Sequence, residues 1–188
     1  DTARLQTMAR EGLVGTEEFA RTKGEFVRRR NRLAPVYVER AREAIRQLLP
    51  HASEFGVKLG IEGRSHYEQI PSEDEMADLM REFAEERFVG YWHDFGHIQR
   101  KHNLLLLNHE QFIHSISPHL IGGHVNDVKW PARDHQVPLM GSGVPFERLL
   151  PFFPAGVPLV WELSGRAAAE DILTARELWE SRFPQTLQ

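Results

Sequence analysis

The hydrophobic positions of the chain follow two rhythms. Up to about residue 55 they recur at helical spacing. Leu5, Met8 and Ala9 mark a first helix, and Thr16 followed by Glu17 and Glu18 reads as the start of a second. A third is expected after Pro35, with Val38, Ala41, Ile45, Leu48 and Leu49 on one stripe and an end near Pro50. Beyond that point, short apolar runs alternate with helical segments. Residues 56–62, 88–94, 120–127 and 157–163 read as four strands. Helices are expected from Pro71, Ser72 and Glu73 through Phe83, just after Asp94, from Glu110 to Ile116, from Phe146 to Phe153 and from Ala167 to Arg182. A long polar loop precedes Phe146.

Strands alternating with helices at this spacing predict an α/β fold, with parallel strands joined by helical crossovers. The strands are apolar almost throughout, as suits a sheet covered by helices on one face and filled on the other. Open doubly wound sheets and closed barrels share that local pattern, and the placing of polar residues has to separate them. The organisation expected is one domain over 1–188, with 1–55 a helical crossover region and 56–188 four strand–helix units.

Composition narrows the function. Of 188 residues, 41% are hydrophobic and 27% charged, an ordinary globular profile. The formal net charge of -4 lacks the basic footprint of a nucleic-acid binder. Arg28, Arg29, Arg30 and Arg32 form a basic run that reads as a solvated helix face, with phosphate binding the lesser alternative. There is no cysteine, so any metal must be held by imidazole and carboxylate groups, and His numbers 10. No apolar run approaches the roughly 20 residues that span a bilayer. Asp1 to Arg10 is too charged for a signal peptide. The expectation is a soluble, cytoplasmic protein without membrane contact.

Candidate chemistry lies at the strand ends. Glu62, Asp94, His124 and Glu162 each close one apolar run. Parallel strands bring their C-terminal ends to a single edge, and a parallel barrel places its active site on that face. Two Glu, one Asp and one His suit a divalent ion such as Mn²⁺, Mg²⁺, Co²⁺ or Zn²⁺. His97 lies one helical turn past Asp94, Asp127 just beyond the third strand, and Arg64 two residues past Glu62. Asp134 and His135 precede a turn containing Gly141, Ser142 and Gly143. Trp92 reads as packing. His51, His102, His109, His114 and His119 receive no role.

On these residues the chain resembles the xylose-isomerase-like barrel superfamily, which includes sugar phosphate isomerases and epimerases and the endonuclease IV type of repair enzyme. The matching pieces are Ile61 and Glu62 with Arg64, His93 to His97, His124 to Asp127, the loop from Asp134 to Gly143, and Trp161 with Glu162. The resemblance implies a TIM-type (β/α) barrel of which only strands five to eight are present. It implies one divalent ion on Glu62, Asp94, His124 and Glu162, with Glu62 and Glu162 as the catalytic pair. His97, Arg64, Asp127 and His135 are the expected substrate contacts. The expected activity is isomerisation or epimerisation of a sugar, sugar phosphate or related polyol through an enediolate. A hydride shift, a dehydratase on the same scaffold and an endonuclease IV-like phosphodiesterase are the alternatives. A typical barrel has about 250 residues, so another segment or chain is expected to complete this one, and a homo-oligomer is expected.

Overall fold

The computed structural model describes residues 1–131, 133–141 and 143–186. Helices α1 (Thr2–Arg10) and α2 (Glu17–Phe55) come first. They are followed by β1 (Leu59–Glu62), α3 (Glu73–Glu82), β2 (Val89–Asp94), α4 (Phe95–Asn103), α5 (His109–Ile116) and β3 (Leu120–Val125). A hairpin of β4 (Asp127–Lys129) and β5 (Arg133–Gln136) leads to α6 (Phe146–Leu149), β6 (Leu159–Trp161) and α7 (Ala169–Arg182). β1, β2, β3 and β6 form a parallel sheet in that order, and β4 pairs antiparallel with β5 in a separate ribbon. The described strands do not close into a barrel.

Local chemistry sets the helix boundaries. The Asp1 carboxylate caps α1 by accepting the Arg4 N–H, and the Thr16 hydroxyl caps α2 by accepting that of Phe19. Ser72 and Glu75 form a reciprocal capping box at α3. Asp94 and Asn108 cap α4 and α5. Gly56, at φ +65°, ends α2 in the left-handed conformation that glycine adopts without a Cβ clash.

One face of the sheet carries the core. Tyr91, Val125, Leu159 and Trp161 point to the helices, where they meet Met76, Leu79, Ile98, Ile113, Phe146 and Trp179. The opposite face bears Gly60, Trp92, Gly122 and Val160. The indole of Trp92 lies across the two glycines: a Cβ on Gly122 would come within 2.3 Å of its ring, and one on Gly60 within 3.3 Å of its Cβ. Trp92 therefore packs on the sheet face opposite the helices.

Several expectations are corrected. The helices anticipated before and after Pro35 are one 39-residue helix that runs through both Pro35 and Pro50. Pro35 removes the bond to the carbonyl of Asn31, but Asn31 is exposed, so water can reach that oxygen. Leu48, on the apolar stripe with Ile45, is 51% exposed. Arg30 is not solvated: its guanidinium forks onto Glu75 and donates to the Gln69 carbonyl. The loop expected before Phe146 contains the β4–β5 hairpin. The helix from Phe146 is a single turn continued by a 3-10 turn at Leu150–Phe152, where Pro151 denies the α-helix a donor.

His109, given no role from sequence, is buried. Its Nδ1 faces Gln99 Oε1 at 2.8 Å and its Nε2 faces His93 Nε2 at 3.0 Å, while His93 Nδ1 meets the Tyr91 hydroxyl at 3.1 Å. Because the amide oxygen only accepts, the His109 proton sits on Nδ1. His93 then donates through Nε2, and Tyr91 donates to His93. Burial first, and then the nearby Lys101 charge, hold the His93 pKa down to about 3. Burial and His93 push His109 well below its ordinary value as well. Both imidazoles stay neutral and pin β2 to α4 and α5. Among the described residues, no helix is long and apolar enough to cross a membrane.

Candidate metal centre

The sheet register explains how four residues spread over a hundred positions meet. Asp94 pairs with His124 across β2 and β3, and His124 pairs with Val160 of β6. Glu62 sits one row lower, opposite Trp92, and Glu162 follows Trp161 beyond the end of β6. The short Asp and His side chains thus occupy the middle of the rim, and the two longer Glu side chains reach in from the staggered outer strands. One ligand atom from each of Glu62, Asp94, His124 and Glu162 lies within 4.8 Å of all the others. His124 Nδ1 is 2.8 Å from Glu62 Oε1, 3.2 Å from Glu162 Oε2 and 3.8 Å from Asp94 Oδ2.

Three carboxylates around one imidazole suit a divalent cation of the Mn²⁺, Mg²⁺, Co²⁺ or Zn²⁺ type. Two observations show the fit. Glu162 Oε2 is buried with no hydrogen-bond partner among the described residues, an acceptor that a cation would satisfy. The Asp94 pKa is pushed up to about 8, by burial first and by the Glu62 and Glu162 carboxylates after it, against the opposing pull of the His97 N–H and of His135. That crowding of negative charge is what a divalent ion would relieve.

Asp94 is fixed on both oxygens. Oδ1 accepts the His97 N–H at 2.7 Å and Oδ2 accepts the Asn126 side-chain amide at 3.0 Å. Asn126, fully buried, also accepts the His135 N–H at 3.1 Å. A Cβ on Gly96 would stand 1.9 Å from Asn126 Oδ1, so this bridge requires glycine at 96. Sequence reasoning missed Asn126, and its place between His124 and Asp127 was the only signal.

His97 Nδ1 is 2.9 Å from the Gly63 carbonyl, which can only accept, so the proton lies on Nδ1 and Nε2 keeps its lone pair. Burial lowers the His97 pKa, against the Gly63 carbonyl and nearby carboxylates, and the ring is neutral. His135, at φ 56°, packs edge-on against His97 with 5.1 Å between ring centroids. Its Nε2 is 3.3 Å from Glu162 and its Nδ1 3.1 Å from Asp134. The bond to Asp134 outweighs burial and raises the His135 pKa to about 9. Burial opposes ionisation of Asp134, but His135 and Arg100 together hold it well below the usual carboxylate range. Asp94, His97 and His135 form a second group of possible ligands within 4.8 Å of one another, sharing Asp94 with the first.

Arg64 lies at the rim, 3.7 Å from Glu62 Oε2 and partly exposed. Asp127, expected as a substrate contact, holds the adjoining loop. It is fully buried, and its oxygens accept the backbone N–H groups of Val128, Gly141, Gly143 and Val144. Those bonds tie Gly141, Gly143 and Val144 to the chain just past the end of β3. Ser142 lies outside the described residues.

The xylose isomerase-like TIM-barrel family model matches residues 18–176. That covers most of the chain, and the chain belongs to this family, one whose members are typically enzymes. No curated protein matches it.

Proposed function

We propose that this chain carries the metal-binding part of an isomerase or epimerase acting on a sugar, sugar phosphate or related polyol. The observation that carries the reading is the convergence of Glu62, Asp94, His124 and Glu162 at one sheet edge. These four would hold one divalent ion. When bound, the ion supplies Lewis acidity to a neighbouring carbonyl and hydroxyl of the substrate. Glu62 and Glu162, which flank His124, exchange a proton at the carbon beside the carbonyl, so that an enediolate separates the two configurations. Neutral His97 accepts from a substrate hydroxyl through Nε2, and Arg64 orients an oxygen beside Glu62.

The test joins binding to label exchange. Mn²⁺ titration of the full chain should show one tight site per chain. Turnover of a ketose in D₂O should place deuterium on the exchanging carbon, whereas a hydride shift leaves that carbon unlabelled. Absence of divalent-ion binding would overturn the proposal.

The second group, Asp94 with His97 and His135, favours one other reading, a phosphodiesterase using more than one ion. Two or three bound Zn²⁺ per chain together with cleavage of an abasic duplex would establish it instead.

The four parallel strands are read as strands five to eight of the barrel. The outer edges of β1 and β6 are unpaired among the described residues, and Leu33, Val36, Tyr37 and Val160 are about half exposed. Unpaired edges and apolar surface of this kind call for cover, from another segment or from a second copy in a homo-oligomer. A stable, compact monomer of these 188 residues alone in size-exclusion chromatography would count against this.

A further inference from the structure

We infer that Arg100 is a positioning residue of the cation group: through Asp134 it sets the imidazole of His135 against Glu162. The consequence for turnover rests on the function proposed above; the positioning itself rests on geometry. Arg100 follows His97 by three residues, as His97 follows Asp94, so the three succeed one another along one flank of α4 and its cap. The Arg100 side chain is 8% exposed. Its guanidinium pairs with Asp134 Oδ2 and donates to the Ser65 hydroxyl at 2.5 Å, and that hydroxyl donates to the same Asp134 oxygen at 3.0 Å. The loop after β1, helix α4 and the β4–β5 hairpin thus meet at one carboxylate oxygen. The other oxygen of Asp134 is 3.1 Å from His135 Nδ1, and His135 Nε2 is 3.3 Å from Glu162 Oε2.

A buried ion pair is weak ground for stability, because removing both charges from water offsets most of their attraction. Two others, Arg30–Glu75 and Lys101–Glu73, join helix to helix. The Arg100–Asp134 pair instead continues, through the second carboxylate oxygen, to an imidazole beside the cation group. His135 has φ 56°, a left-handed backbone that a residue with a Cβ keeps only where its surroundings enforce it. Here they do. Its N–H donates to Asn126 Oδ1 at 3.1 Å, its carbonyl accepts the Ser164 N–H at 2.8 Å, and its Nδ1 meets Asp134. Backbone and ring are therefore fixed together, from both sides of the hairpin.

Asp134 decides which ring nitrogen His135 offers to the site. Its carboxylate, paired with Arg100, only accepts, so Nδ1 carries a proton and Nε2 is the atom turned to Glu162. Glu162 needs such a guide. Its side chain is 43% exposed, and Oε2 has no hydrogen-bond partner among the described residues. Two imidazoles face that oxygen, His124 at 3.2 Å and His135 at 3.3 Å. His124 is shared with Glu62 and Asp94, whereas His135 stands on the hairpin side. With His135 fixed, the Glu162 carboxylate is held toward the other three ligands of the group and kept from swinging into solvent. In the reaction proposed above, that fixes the base relative to the carbon on which it works.

The test follows the His135 ring directly. In long-range ¹H–¹⁵N NMR of the full chain, wild type should show a slowly exchanging Nδ1–H, assigned by its loss in His135→Asn. Arg100→Met should broaden or abolish that signal, and Arg100→Lys should restore it in part. Ser65→Ala should give a smaller change of the same kind, and it serves where Arg100→Met does not fold. Mn²⁺ affinity should fall about 10-fold in Arg100→Met. In a Glu162→Gln background the same substitution should change it little, because the effect travels through Glu162. In turnover of a ketose, Arg100→Met should lower kcat and leave KM near the wild-type value. An Nδ1–H signal unchanged in Arg100→Met and Ser65→Ala, even with a lowered melting temperature, would make Arg100 a structural residue and overturn the inference. So would an equal loss of Mn²⁺ affinity with and without the Glu162 substitution. The NMR signal needs neither metal nor turnover. Its loss as expected, with no sugar turned over, would leave the positioning standing and remove the isomerase reading.

Discussion

Replacing Glu162 by glutamine is expected to reduce turnover at saturating Mn²⁺ by at least the 10²–10⁴-fold that a positioned acid–base group typically contributes. Glutamine keeps the size and one oxygen donor of glutamate, but it cannot take up or return a proton at neutral pH. Glu162 lies after the end of β6 with its side chain 43% exposed, so the substitution touches no packed core. Substitutions at such surface sites usually change stability by no more than about 0.5 kcal/mol. The cation should also bind more weakly, since one of four ligands has lost its charge. Turnover therefore has to be measured after the titration reaches its plateau, with thermal melts alongside. Wild-type turnover under those conditions would remove Glu162 from the catalytic pair and leave it a ligand at most.

The cation group was legible in the sequence because each member ends an apolar run. Parallel strands turn that one-dimensional regularity into a shared edge, and strand-end position needs no knowledge of tertiary contacts. The start of α3 was legible for a similarly local reason, since Pro71, Ser72 and Glu73 together carry a helix-start signature. What the sequence hid depends on contacts across long separations. Arg30 reads as one of four surface arginines until Glu75 is brought to it from α3. His109 becomes a structural imidazole only through His93, sixteen positions away. Asp127 and Asn126 are adjacent, yet one ties down a loop and the other fixes Asp94, and their order in the chain carries no sign of that division. The hairpin was hidden because β4 and β5 are three and four residues long and polar, without the alternation that marks a half-buried strand.

The metal-free protein is expected to be most stable between about pH 5 and 7, with added Mn²⁺ flattening the alkaline side alone. In the folded chain Asp94 keeps its proton up to about pH 8; unfolded, it loses it near 3.9. Its ionisation therefore favours unfolding, and stability falls as pH rises between those two values, by on the order of 5 kcal/mol in all. His135 acts in the same direction. Its pKa is raised to about 9, so the stability it lends is complete below about 6.5 and is lost as pH climbs through 9. His93 and His109 act in the opposite direction. Burial keeps them neutral in the fold, so below about 6.5 the unfolded chain takes up protons that the folded chain refuses, and stability declines toward acid. Mn²⁺ competes with the proton on Asp94 and has no bearing on the two core imidazoles. At a hundred times its dissociation constant it should add about 2.7 kcal/mol at pH 8, with much of that gain lost at pH 5. Urea midpoints at the two pH values, with and without Mn²⁺, read this out directly. Equal midpoints for the metal-free protein at pH 6 and 8, or the same Mn²⁺ shift at pH 5 and 8, would show that Asp94 does not carry the proton the cation displaces.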